Sequence, residues 1–200
     1  MNELKDENWL FINHLTSDLV PISLANPQQL DHLRLAAVLM PLFFEEGVWK
    51  LLFIHRSEMG EFHRGEVAFP GGAKEIEDQS IADTAKRETH EELGISPDQI
   101  SILGSLWPIQ TISNYFVTPI VGVLNWPLII KQNKEEVARV FSIPLDWLMD
   151  DSNWRIREFD ILGKGKINTI VYNLFDGEQL WGFSAKITQT LIQLIKKRER

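Results

Sequence analysis

Residues Gly71–Ile95 read GGAKEIEDQSIADTAKRETHEELGI, a glycine pair, a polar loop, a run with helical spacing and a closing glycine. The run predicts a helix from about Ser80 to Leu93. Asp78 and Ser80 offer side-chain oxygens near its first turn, Ile81, Ala82, Ala85 and Leu93 supply apolar positions, and Gly94 can take the left-handed stop. On this helix Glu88, Glu91 and Glu92 stand at i, i+3 and i+4, so their carboxylates project from one face within about 6 Å of axial rise. Such a cluster repels itself unless it is protonated or bridged by a cation, and a hard divalent ion such as Mg²⁺ is the natural bridge. Arg87, four residues before Glu91, can hold a carboxylate through both arms of its guanidinium and fix its rotamer. On an isolated helix the pattern would describe a solvated acidic face; here it is framed by glycines at both ends.

Upstream, the apolar stretches Leu33 to Phe44 and Val48 to His55 are separated by Glu45, Glu46 and Gly47, which predicts a buried hairpin. A glycine- and charge-rich loop, Ser57 to Gly65, leads through Val67-Ala68-Phe69 to Pro70-Gly71-Gly72. Near the start, Leu4, Phe11, Leu15 and Leu19 share one face of a helix that the Pro21 to Pro27 segment ends. Downstream, Ile100 to Ile112, Phe116 to Val123 and Ile167 to Asn173 are strand-like, and Pro144 to Met149 reads as a short helix. The final helix carries Ile187, Leu191, Leu194 and Ile195 at helical spacing. This interleaving predicts an α/β fold, a mixed central sheet with helices on both faces. With no repeat and no long linker, residues 1–200 read as a single domain, with about 1–32 an extension packed on it.

The bulk numbers narrow the function. A formal net charge of −8 and a pI near 5.2 argue against a general nucleic-acid or acidic-membrane binder. The basic Lys196-Lys197-Arg198-Glu199-Arg200 end answers a helix dipole. The absence of cysteine excludes thiolate catalysis and zinc–thiolate sites and fits a reducing compartment. No export signal is visible in MNELKDENWL, and the longest apolar stretch, Leu35 to Phe44, is ten residues with Pro41 inside it. The expected location is cytoplasmic, the expected partner a small molecule rather than nucleic acid or membrane, and a homodimer is compatible with the sequence.

With its glycines, the segment resembles the Nudix box, G-x5-E-x7-R-E-U-x-E-E-x-G-U. Gly72, Arg87, Glu88, Glu91, Glu92, Gly94 and Ile95 match in type and order. Counting back from Arg87 puts Gln79 at the acidic position and Ala73 at the first glycine; one extra loop residue makes Asp78 the stand-in acid. Thr89 replaces the usual apolar residue. The resemblance implies a Nudix α/β/α sandwich and hydrolysis of a diphosphate linkage with Mg²⁺, or Mn²⁺ as substitute. It further implies metal ligation by Glu88, Glu91, Glu92, the Gly72 carbonyl and an acid from a later loop, Glu136, with Glu135 the alternative. Arg87, Glu88, Glu91, Glu92 and Glu136 form the implied catalytic set, the general base being Glu88 or Glu136.

The stretch Leu52 to Gly72 also looks like the coenzyme A pyrophosphatase signature, L-L-T-x-R-[SA]-x3-R-x3-G-x3-F-P-G-G. Leu52, Arg56, Ser57, Gly65, Phe69, Pro70, Gly71 and Gly72 match; Phe53 and Ile54 depart, and Glu61 reverses the charge of the second arginine. Thr111 to Pro119 and Glu135 to Leu145 are similar to the same branch. It implies cleavage of coenzyme A or acyl-coenzyme A to adenosine 3′,5′-bisphosphate and a phosphopantetheine product, with Arg56, His63 and Arg64 meeting substrate phosphate. The alternatives are hydrolysis of ADP-ribose or another nucleoside diphosphate derivative, and a non-catalytic nucleotide sensor. His90 reads as a solvent-facing or packing residue, and Trp107 or Tyr115 as a surface on which adenine could stack.

Overall fold

A computed structural model of the chain describes residues 3–25, 33–58, 65–111, 113–161 and 165–197. Two helices, α1 (Glu3–Asp18) and α2 (Ile22–Ala25), precede the predicted hairpin, β1 (Arg34–Glu45) and β2 (Val48–Arg56). Glu46 and Gly47 both take positive φ, 53° and 83°, the two-residue turn whose twist suits antiparallel strands. Leu42 then stands opposite Leu51 and Glu45 opposite Val48. Two short strands follow, β3 (Val67–Ala68) and β4 (Gly71–Ala73), and then α3 (Ile81–Leu93), β5 (Ile100–Ser105), β6 (Ile109–Gln110), β7 (Tyr115–Leu124), β8 (Val137–Pro144) and α4 (Leu145–Met149).

The main sheet runs β3-β2-β1-β7-β5, with β4 added to β1, β6 to β7 and β8 to β2. It is mixed: β1 and β7 are parallel, their neighbours antiparallel. Both faces are covered, which is why β1 and β2 read as continuous apolar runs. Leu39, Phe43, Leu52 and Ile54 face the side of α3 with its Ile81, Ala85 and Leu93. Alternating with them, Met40, Leu42, Leu51 and Phe53 face Leu15 and Leu19 at the end of α1, Leu148 of α4 and the last helix, α5 (Gly182–Lys196), through Leu191 and Ile195. The expected helix-covered mixed sheet is the observed one.

Three details differ from the sequence expectation. The Ile100 to Ile112 stretch is broken into β5 and β6 because Leu106 turns inward and its N–H bonds the Pro119 carbonyl at 2.9 Å; Ile112 lies outside the described residues. The helix expected from Ser80 begins at Ile81, Ser80 being its cap. A second sheet, β11-β10-β9, was unexpected apart from its middle strand: β9 (Trp154–Ile161), β10 (Gly165–Phe175) and β11 (Glu178–Trp181). No described helix is long and apolar enough to cross a membrane.

Candidate active site

The site forms where α3, β4, the end of β2 and the segment before β8 meet. Helix α3 is fixed at its start by a reciprocal pair: Ser80 accepts from the Asp83 N–H while Asp83 accepts from the Ser80 N–H, at 3.2 and 2.9 Å. A cap of this kind contributes about 1 kcal/mol. Gly94 closes the helix in the left-handed region, φ 67°, its N–H on the His90 carbonyl. Thr89, at the position expected to be apolar, is buried, and its hydroxyl donates to the Ala85 carbonyl at 2.7 Å, which satisfies the polar atom inside the helix.

The two glycines of β4 lie against the helix for different reasons. Gly71 pairs with Val38 of β1, and a Cβ there would come within 2.3 Å of the Ala37 carbonyl. A Cβ on Gly72 would lie 2.5 Å from the Glu88 carboxyl carbon, so the missing side chain is what lets that carboxylate rest on the backbone.

Arg87 organises one side of the cluster. Its guanidinium donates from Nε to Asp78 Oδ1 at 3.0 Å and from Nη2 to Asp78 Oδ2 at 3.1 Å, the two-armed grip expected of an arginine, and Nη2 also reaches the Ala73 carbonyl at 2.9 Å. Nη1 donates to Glu88 Oε1 and Glu91 Oε2, both at 3.0 Å. The two-armed partner is thus Asp78, the residue that counting made the stand-in acid. Burial pushes the Asp78 carboxyl up, but its hydrogen bonds to Arg87, the Glu75 N–H and Thr84 outweigh this and hold it below the usual range. Arg87 is correspondingly raised, first by Asp78.

Glu92 occupies the other side and is only 1% exposed. Its Oε2 accepts from the Gly71 N–H at 3.0 Å, and its Oε1 sits 3.1 Å from Arg56 Nη1, while Arg56 Nη2 donates to the Gly71 carbonyl at 3.0 Å. Burial raises the Glu92 pKa to about 7 against the pull of Arg56 and the Gly71 N–H, and the charges of Glu88 and Glu136 push the same way. Glu88 is raised too, by burial first, with Arg87 opposing and Glu91 and Glu136 adding to it.

Glu136 therefore lies within electrostatic reach of both. It is exposed, held by a bond from Asn133 Nδ2 to Oε1 at 3.1 Å, and its carbonyl accepts from the Ser57 N–H at 2.8 Å. Asn133 also donates its N–H to the Glu92 carbonyl at 2.8 Å, docking this segment on the end of α3. Glu135 is exposed and contributes its N–H to Asn133 Oδ1.

The three glutamates thus share one region of the helix but not one point. Glu91 is half exposed on Arg87, Glu88 rests on Gly72 and Glu92 turns into the core beside Gly71. Among the described residues no three carboxylate or imidazole groups stand together as a ready-made metal site, and Arg56 and Arg87 each pair with some of the glutamate oxygens. The donor chemistry still fits a hard divalent cation. It is all oxygen, it carries more negative than positive charge, and the Gly72 backbone is accessible to Glu88 only for want of a Cβ.

Arg56, expected at substrate phosphate, holds Glu92 and the Gly71 carbonyl in this structure. His63, Arg64 and the charge-reversing Glu61 lie outside the described residues. His90 is exposed, its Nδ1 3.2 Å from the Ile95 carbonyl. Trp107 is 69% exposed, whereas Tyr115 lies under the Arg34 guanidinium, 5.0 Å from its ring centre. Two participants were missed. Gly71 was legible as part of the Pro-Gly-Gly run but had been given no role of its own, and Asn133 carries no signal in the sequence.

Comparison with known proteins places the chain in a family. Residues 33–161 match the family model of the NUDIX domain. Nudix hydrolase NudL of Photorhabdus laumondii is 34% identical over 187 residues, covering 93% of this chain and 96% of that protein. The NudL of Yersinia pestis is 36% identical over 162 residues, covering 81% and 80%. Among solved structures, a Nudix hydrolase from M. smegmatis, RenU, aligns with a TM-score of 0.56 at 19% identity, covering 82% of this chain and 87% of that one, a likeness of fold alone. Nudix enzymes generally use divalent metal ions. The chain belongs to the Nudix hydrolase family, whose enzymes act on the anhydride bond of diphosphate-containing substrates.

Proposed function

We propose that this hydrolase is a Mg²⁺-dependent pyrophosphohydrolase of coenzyme A or acyl-coenzyme A, releasing adenosine 3′,5′-bisphosphate and a 4′-phosphopantetheine product. The observation that carries the chemistry is the Glu88 carboxylate resting on side-chain-free Gly72 beside the buried Glu92. Buried negative charge in excess of its arginines is costly unless a cation completes it. Support for the substrate comes from the Leu52 to Gly72 signature, whose ends are physically joined: Arg56 bonds Gly71, Gly65 donates its N–H to the Arg56 carbonyl, and the Phe69 ring packs at a tilt on Phe53, 4.6 Å between centroids. We further propose that residues 1–200 act as a single domain with about 1–32 packed on it.

Glu88 and Glu92 are the assigned metal ligands, with Glu91, Glu136 and the Gly72 carbonyl completing the oxygen set; Mn²⁺ is the expected substitute. Bound divalent cations supply neutralisation of the diphosphate oxygens and a more acidic water. Arg87, locked on Asp78, keeps the Glu88 and Glu91 carboxylates from turning away. Glu136, exposed and held among the described residues through one oxygen by Asn133, is the assigned acceptor of the water proton, with Glu88 the alternative. Arg56, His63 and Arg64 are assigned to substrate phosphate.

Product analysis by ³¹P NMR over a panel of coenzyme A, acetyl-coenzyme A, ADP-ribose, dinucleotides and nucleoside diphosphate sugars tests this reading. Cleavage of the coenzyme A compounds to the 3′,5′-bisphosphate is expected. Coenzyme A left intact beside a good alternative substrate reassigns the enzyme within its class, and an inert protein across the panel with Mg²⁺ and Mn²⁺ favours a nucleotide sensor.

A further inference from the structure

Arg56 ends β2, and its guanidinium has two partners among the described residues, Glu92 and the Gly71 carbonyl. With the Gly71 N–H on Glu92 Oε2, these contacts close a ring: guanidinium to carboxylate, carboxylate to peptide N–H, peptide carbonyl back to guanidinium. Both oxygens of Glu92 are therefore engaged, one by a cation, in a side chain almost fully removed from solvent. Glu88 differs, since its Oε1 meets Arg87 while no described residue bonds its Oε2. The two arginines differ as well. Arg87 is anchored outside the glutamates by Asp78 and the Ala73 carbonyl, whereas Arg56 has no carboxylate partner other than Glu92 among the described residues.

We propose that Arg56 is the resident counter-ion of Glu92 in the substrate-free enzyme, a positioning residue that holds the carboxylate and the Gly71 peptide in register and that a divalent cation must displace. This rests on the metal reading above and adds a step to it. Unlike Glu88, Glu92 has both oxygens engaged and is almost fully buried, so a divalent cation reaching it meets the Arg56 charge at close range and competes with that pair. The displaced guanidinium, about a quarter exposed, is then free to meet a phosphate, which reconciles its place in the structure with its place in the signature.

Two measurements on the full-length chain without substrate test the exchange. In Mn²⁺ titrations followed by electron paramagnetic resonance, R56Q removes the competing charge, and its Mn²⁺ affinity is expected to rise about fivefold or more, the scale of a typical coupling between sites. R56K keeps the charge and is expected to stay within about twofold of wild type, although its single ammonium cannot bridge Glu92 and Gly71 and its kcat falls more than its KM rises. In wild type, the side-chain Nε–H NMR signal of Arg56 is expected to move on Mg²⁺ saturation by more than that of Arg87, whose Nε–H is held by Asp78, and this readout needs no variant. Unchanged or weaker Mn²⁺ binding by R56Q, or an Arg56 signal indifferent to Mg²⁺, overturns the exchange and leaves the metal reading standing. A wild type that binds neither ion overturns both.

Discussion

His55 and Arg56 are neighbours at the end of β2, yet they point to opposite faces of the sheet and into charge clusters of opposite kind. On the side of the second sheet, His55 Nδ1 lies 2.7 Å from Glu178 Oε2, and Arg139 bonds Glu178 Oε1 at 3.0 Å and the Asp176 carboxylate and carbonyl. Arg139 spans both acids there and the His55 ring meets Glu178, so each carboxylate has a partner; the cluster ties β11 to β2 and β8. On the α3 side, Arg56 and Arg87 face Asp78, Glu88, Glu91, Glu92 and Glu136. The hydrogen bonds are as short in one cluster as in the other. What separates a functional site from a structural ion-pair network is the uncompensated charge and its burial, since both raise the cost of the cluster as it stands.

The largest break in this comparison should come from removing charge on the α3 side. E88Q and E92Q are each expected to lower kcat/KM by at least about 100-fold, beyond what residues that only orient a metal's ligands usually contribute. E178Q should leave kcat/KM within about twofold of wild type under the same Mg²⁺ assay, because nothing in its cluster touches the reacting groups. Equal losses on both faces would erase the distinction.

The glycines sharpen it. G72A puts a methyl against a movable carboxylate, so activity should fall steeply while the melting temperature stays close to wild type. G71A drives a methyl into the Ala37 backbone, at a cost of about 1–3 kcal/mol or more, and should lower the melting temperature by several degrees. Thermal unfolding beside steady-state kinetics separates the two.

The pH dependence follows from Glu92. Its folded pKa of about 7 lies above the ordinary 4.5, so between those values the folded chain keeps a proton that the unfolded chain has lost. The Glu92 contribution to metal-free stability should therefore fall as pH rises from about 4.5 to about 7 and then level off, and denaturant titrations should show this slope flattened in E92Q. Because the proton competes with the cation, Mn²⁺ affinity should weaken by up to about tenfold per pH unit below about 7. The smallest effect is expected from R139A, a loss within about 1 kcal/mol, as for other partly exposed ion pairs.

How much of this was legible in the sequence follows from where each feature is encoded. Helix α3 was readable because its cap, its apolar positions and its closing glycine are local, and the β1–β2 hairpin because Glu46-Gly47 separates two apolar runs. Asp78 could be found by counting. β9 was not readable: WRIREFDI mixes charge into a strand that is largely exposed, and its alternation slips phase between Arg157 and Glu158, so neither one apolar face nor an apolar run marks it. Spacing alone made the three glutamates equivalent. Packing makes them unequal, since Glu92 falls on the buried face with Ile81 and Ala85 while Glu91 falls outside it. The Arg56–Glu92 pair joins a strand end to a helix end across the sheet, and no local pattern encodes such a contact.

The central claim, that the carboxylates on α3 and not those facing the second sheet hold divalent cations, is tested most directly by anomalous diffraction from crystals soaked in Mn²⁺. The expected result is a manganese peak at bonding distance from Glu88 and Glu92 and none between His55 and Glu178. A peak at Glu178 with none on α3, or no peak at saturating Mn²⁺ with a diphosphate present, would contradict it.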